Sequence, residues 1–168
     1  QTFLSMDLTP FLGKLGVRIA GVISGRELAD EVALDFASRT LALRQGTAAL
    51  LESDRAPGTT RLAPGPAGTL LVSAAINGEH VRPCILDTAF GGAIALPETW
   101  LREKGLLTPD TPCVAADQPP LEGAAPLGSV QVRLKNVRVA GAEMADPLCA
   151  VAAGDTARLG LGYLGRFM

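Results

Sequence analysis

Asp87 is the residue whose setting most clearly suits chemistry. Two apolar residues, Ile85 and Leu86, lead into it; Thr88 and Ala89 follow, then Phe90, Gly91 and Gly92. An apolar run that delivers a lone acid to a strand end, followed by small residues, suits a carboxylate on a tight loop. Small side chains let backbone N–H groups approach the acid, and a neighbouring hydroxyl such as Thr88 can stiffen the loop by bonding its backbone. Two such loops facing each other would bring two carboxylates together. Like charges at that distance cannot both ionise, so one proton is shared. The ionised acid then activates water while the protonated one polarises a peptide carbonyl. The same pentapeptide also suits a turn aspartate that caps its own loop and does no chemistry.

Other chemistries find little support. The three cysteines, Cys84, Cys113 and Cys149, are odd in number and widely spaced, so they are not a disulfide framework, although one bridge such as Cys113–Cys149 stays open. There is no C-x-x-C, and His80 is the sole histidine. A structural zinc site wants four Cys/His ligands at short spacings, so none is expected. A Ser-His or Cys-His mechanism would need His80 as its base. That residue follows Asn77-Gly78, a turn signal, and reads as an exposed histidine at a hairpin start. No phosphate-binding glycine motif occurs, and Glu143, Asp146 and Asp155 read as solvated acids.

Composition narrows the class further. The chain has 168 residues, 48% hydrophobic and 19% charged, enough to build a core and unlike a disordered chain. A net charge of −2 disfavours an electrostatic nucleic-acid binder, and 4% aromatics disfavour a base-stacking platform. No apolar run approaches the ~20 residues a membrane-spanning helix needs. The chain opens on Gln1 with no signal-peptide pattern, so residues upstream are expected and the compartment stays unread, an exported or periplasmic address being open.

The elements that must position Asp87 read as mostly strands. Residues 32–36 and 40–43 alternate as strand-turn-strand. Residues 53–68 form the clearest linker, dense in Pro and Gly. Residues 69–76 read as a strand, Asn77-Gly78 as a hairpin turn, and residues 79–86 as the return strand, in which Pro83 needs an edge or bulge position. Residues 93–96 read as a short strand. Pro97 and Glu98 suit a helix start, and Lys104-Gly105 suits its end. Val130, Val132 and Leu134 alternate, then Val137 and Val139, with a turn at Asn136. Residues 148–152 read as a buried strand. Residues 159–167 read as a glycine-rich turn running into a helical piece.

This order of hairpin, Asp-Thr-small loop, short strand and Leu-Pro-Glu helix resembles the retropepsin-like aspartyl proteases. Ile85-Leu86-Asp87-Thr88-Ala89 is similar to their apolar-apolar-Asp-Thr-Gly signature, with Ala89 where glycine is usual. Ala93-Ile94-Ala95-Leu96-Pro97 looks like the strand and helix start that follow it. Leu159-Gly160 with Leu161 to Phe167 resembles the family's apolar-Leu-Gly segment, whose turn packs beneath the catalytic loop. The resemblance covers about residues 69–168. Gly21-Val22-Ile23-Ser24-Gly25, followed by residues 32–36 and 40–43, looks like the closing part of a preceding lobe.

The resemblance implies a mostly β, acid-protease-like (retropepsin-like) closed β-barrel lobe with one or two short helices, plus the tail of a preceding similar lobe. Residues 1–44 would be that tail, 45–68 a linker, and 69–168 a second lobe lacking its closing hairpin. The alternative is that residues 32–44 complete the second lobe by pairing with its open edge. The implied activity is aspartic endopeptidase, with Asp87 as one member of a dyad, Thr88 and Ala89 as its supporting loop, and Gly160 as the packing turn. No metal or organic cofactor is implied. The substrate would be an extended peptide or protein segment, and the second aspartate would come from an upstream lobe or a homodimer partner. Two departures bear on this. Phe90 stands where a small residue is common and would crowd a partner loop. Residues 110–128, where a substrate-covering flap is expected, lack a clear strand-turn-strand pattern. The other function class is a non-catalytic peptide-binding module on the same fold.

Overall fold

Two strands, β1 (Glu31–Asp35) and β2 (Thr40–Arg44), pair with each other in a two-stranded sheet, as their alternating residues lead one to expect. Apart from Asp35, they belong to the smaller of two units into which the chain divides: Gln1–Leu34 with Thr40–Ala48, and Asp35–Arg39 with Ala49–Met168. The structure is a computed structural model that describes residues 31–35, 40–44, 62–65, 68–115 and 127–167. The Gly21–Gly25 element and most of the 45–68 stretch lie outside the described residues.

The larger unit is mostly β. Its strands are β3 (Ala63–Pro64), β4 (Leu70–Ile76), β5 (His80–Asp87), β6 (Ile94–Pro97), β7 (Cys113–Ala115), β8 (Leu127–Arg133), β9 (Asn136–Val139), β10 (Ala142–Ala145), β11 (Leu148–Ala152) and β12 (Arg158–Gly160). Two short helices accompany them, α1 (Glu98–Glu103) and α2 (Leu161–Phe167). The sheet runs in the order β10-β9-β4-β5-β12-β6-β11-β8-β7, with β3 also on β4, and curls as a half-barrel.

The β4–β5 hairpin forms where Asn77-Gly78 stands, with φ of 53° and 76° at these residues. Asn77 does more than turn the chain. Its Oδ1 accepts the Lys135 N–H at 2.8 Å, and its own N–H donates to the Asn136 carbonyl at 3.0 Å. Pro83 is exposed in β5, opposite Ser73. The Ile85 N–H points away from β4, to the Ala157 carbonyl at 2.8 Å, so a donor two residues earlier would point the same way. The β12 ladder begins only at Ile85, so the donor that Pro83 lacks has no ladder partner to lose.

Two strand pairings were not legible beforehand. Ala140 and Gly141, at φ of 51° and 86°, turn β9 into β10. Ala-Gly lacks the Asn-Gly signature, so β10 gave no sign of itself. β7 and β8 pair antiparallel, Val114 opposite Gln131. The stretch 110–128 therefore supplies one strand, Cys113–Ala115, whose partners Val130–Val132 lie just beyond it. β7 is three residues long and exposed throughout, so no burial alternation announces it. Residues 116–126 lie outside the described residues.

The core fills the inner face of the curled sheet. Ile76, Ile94, Leu96, Val132 and Val137 are fully buried, and α1 and α2 add Leu101 and Leu164. Burying one such side chain contributes ~1.5–3 kcal/mol. The α1 helix starts after Pro97 and ends at Gly105, whose φ of 66° suits glycine. Tyr163 of α2 ties that helix to the β9–β10 hairpin: its hydroxyl donates to the Ala142 carbonyl at 2.6 Å and accepts the Val139 N–H at 3.0 Å.

His80 is not the exposed turn residue its neighbours suggest. It shares a face of β5 with Arg82 and Cys84 and is half-buried. Trp100 of α1 meets its ring edge-on at 5.9 Å and carries the Arg82 guanidinium 5.7 Å from its own ring. All three cysteines are free thiols. A Cys113–Cys149 bridge is out of reach: the two flank Val132 on opposite sides, in β7 and β11. Two inter-strand spacings put their Cα atoms about 10 Å apart, beyond disulfide reach.

Candidate functional site

Asp87 is the last residue of β5, and its side chain is 17% exposed. Its backbone carbonyl accepts the Phe90 N–H at 3.2 Å, which closes the turn through Thr88 and Ala89. Its carboxylate is held from two directions. Oδ1 accepts the Ala89 N–H at 3.0 Å, and Oδ2 meets Arg158 Nη1 at 2.7 Å. A small residue at 89 suits this approach of backbone to acid. Thr88 and Ala89 are exposed, and the Thr88 hydroxyl makes no hydrogen bond among the described residues.

Gly160 sits opposite Asp87 in the parallel β5–β12 ladder, with Leu159 opposite Leu86 and Arg158 opposite Ile85. From here the chain sews itself to the far side of the loop. The Gly160 N–H donates to the Ala93 carbonyl at 3.0 Å, the Leu161 N–H to Phe90 at 2.8 Å, and the Gly162 N–H to Gly92 at 3.1 Å. The approach is so close that a Cβ on Gly160 would lie 2.4 Å from the carbonyl oxygens of both Phe90 and Gly92. The structure thus brings Asp87, Ala89 and Gly160 into one local assembly.

Phe90 does not project from this loop. It is 4% exposed and folds back onto its own unit, against Ala95 and Ala150. Its ring lies over Gly92, where an added Cβ would come within 2.4 Å of it. The two glycines after Phe90 therefore serve different ends: Gly92 makes room for the ring, whereas Gly91 faces open space.

Arg158 is the site residue that the sequence reading missed. Its signal was slight: one basic residue just ahead of Leu159-Gly160, at an apolar position of the motif that segment resembles. With its side chain 32% exposed and Asp87 at 17%, the pair is neither a fully solvated surface bridge nor a dry one. Nearby, burial pushes the Cys84 thiol up to about 12, and Cys149 likewise, so neither serves as a nucleophile at neutral pH. No group of three or more metal-ligating side chains occurs among the described residues. No described helix is long and apolar enough to cross a membrane.

No protein-family model matches the chain, and no curated protein sequence matches it. Among solved structures, the chain is similar to a retropepsin-like aspartic protease from Rickettsia conorii. The TM-score is 0.49 with 21% sequence identity, over 63% of this chain and 77% of that one.

Proposed function

We propose that the larger unit is one half of an aspartic endopeptidase, with Asp87 as one of two carboxylates that activate a water against a peptide bond. The observation that carries this reading is the carboxylate's mounting. Asp87 ends a strand, takes a hydrogen bond from its own loop at Ala89, and stands on a loop fixed from behind by Gly160 and its neighbours. An acid mounted on a backbone-fixed loop, with one carboxylate oxygen held by the loop's own N–H, is suited to positioning a water.

The second carboxylate comes from an upstream lobe, of which residues 1–44 would be the tail, or from a second subunit. Residues 45–68 would be the linker and 69–168 the lobe that holds Asp87. The pair would share one proton, as two adjacent carboxylates must. No metal or organic cofactor is required. The substrate is an extended peptide bound by strand-like backbone hydrogen bonds.

One observation favours a second reading. The guanidinium of Arg158 contacts the Asp87 carboxylate directly, which suits a structural acid tied up in an ion pair. On that reading the fold is a peptide-binding module without hydrolysis. Incubating the complete protein with a mixed peptide pool from about pH 3 to 7 separates the two. Cleavage that vanishes in Asp87→Asn supports the peptidase. Folded protein that binds peptides and cleaves none supports the module.

A further inference from the structure

Arg158 leaves most of its hydrogen-bonding capacity unused. A guanidinium carries five N–H donors in a planar fork. Here Nη1 reaches Asp87 Oδ2, and no other hydrogen bond of this side chain is present among the described residues. The residues opposite it in the two flanking strands, Ile85 and Ala95, are apolar, as is Leu71 beyond Ile85. No neighbouring acid in that row competes for the free donors. About a third of the side chain is open to solvent. The result is a cation with spare donors fixed within 2.7 Å of the acid that would do the chemistry.

We infer that Arg158 is a specificity-determining residue that selects peptides carrying Asp or Glu beside the scissile bond. The inference rests on the reading of Asp87 as a catalytic acid. Any substrate bond attacked by a water on Asp87 must lie against this carboxylate, so a side chain flanking that bond passes within reach of the guanidinium. One edge of the fork stays on Asp87 and the other receives the substrate carboxylate; a guanidinium can bridge two acids in this way, whereas an ammonium has no such planar geometry. Neutralisation of Asp87 by Arg158 also removes the repulsion that a substrate acid would otherwise meet there.

The test is the distribution of cleavage sites from a mixed peptide pool, read by mass spectrometry, for the complete protein and for R158Q, R158K and D87N. Gln can still donate to Asp87 but carries no charge; Lys keeps the charge and loses the fork. The expected result is wild-type cleavage favouring acidic over neutral flanking residues by about tenfold in kcat/KM, the scale of one charge-assisted hydrogen bond. The ratio falls to near one in R158Q and is intermediate in R158K. It also fades below about pH 4, where the substrate carboxyl is protonated. Wild-type cleavage without acidic preference overturns the inference and leaves the peptidase reading standing. So does an R158Q variant, folded by its thermal melt, that slows acidic and neutral peptides equally, because Arg158 then acts only through Asp87. Absence of cleavage in the wild type removes the peptidase reading and this inference with it.

Discussion

Gly160 lies opposite Asp87 in a parallel ladder, with no room for a side chain between it and the loop that Asp87 begins. Two backbone carbonyls, together with the buried Phe90 ring, occupy the space a Cβ would need, so relief requires the loop itself to move. Gly160→Ala should therefore destabilise the protein by ~1–3 kcal/mol, the usual cost of overpacking. Gly91→Ala, one loop residue away from the contact and facing open space, should stay within about 0.5 kcal/mol of wild type. Urea unfolding of the two variants checks this, and equal losses would show that the close approach is not what fixes the loop.

Phe90 anchors the same loop from the other side. Phe90→Ala empties a buried site between Ala95, Ala150 and Gly92, at a cost of ~3–5 kcal/mol. The ring faces its own unit, so the substitution should lower the unfolding midpoint of the isolated chain. An unchanged midpoint would mean that the ring does not pack as described.

Ala140 offers a change of opposite sign. It holds a φ of 51° in the β9–β10 turn, where an L side chain is strained by ~1–2 kcal/mol. Ala140→Gly removes the clash at some entropic cost and should stabilise by about 0.5–1 kcal/mol. A fall in the unfolding midpoint would contradict the turn geometry.

The thiols give a pH dependence. Burial raises Cys84 and Cys149 to about 12 in the folded chain, against an ordinary value near 8.5 when unfolded. A raised pKa means that the fold retains protons the unfolded chain releases. The stability these groups contribute is complete below about pH 8.5 and is lost as pH rises from there toward 12. The urea midpoint should drop between about pH 8 and pH 10, and drop less in a Cys84→Ala, Cys149→Ala double variant. At neutral pH a thiol reagent should modify Cys113 quickly and reach the other two only on unfolding.

Asp87 and its small-residue loop were legible because every feature that marks them is contiguous in the chain. The same holds for Asn77-Gly78 and for the helix that follows Pro97. Arg158 was not legible because its meaning lies in a partner 71 residues away. Phe90 read as a crowding residue because a sequence shows ring size and not direction; Gly92, which gives the ring its space, was the only local hint. The β10 strand was hidden by an alanine in a conformation that sequence patterns assign to asparagine or glycine. His80 read as exposed from its turn, whereas Trp100, twenty residues on, covers it.

The β5–β12 ladder also has a consequence during synthesis. β5 emerges from the ribosome well before β12, the strand that closes its free side, so it spends that interval with an open edge. An open strand edge is a template for wrong pairing with other chains. Pro83 interrupts the row of donors on that side of β5. The residue that looks ill suited to a strand thereby guards the nascent edge until Arg158, Leu159 and Gly160 arrive to cover the stretch nearest the acid.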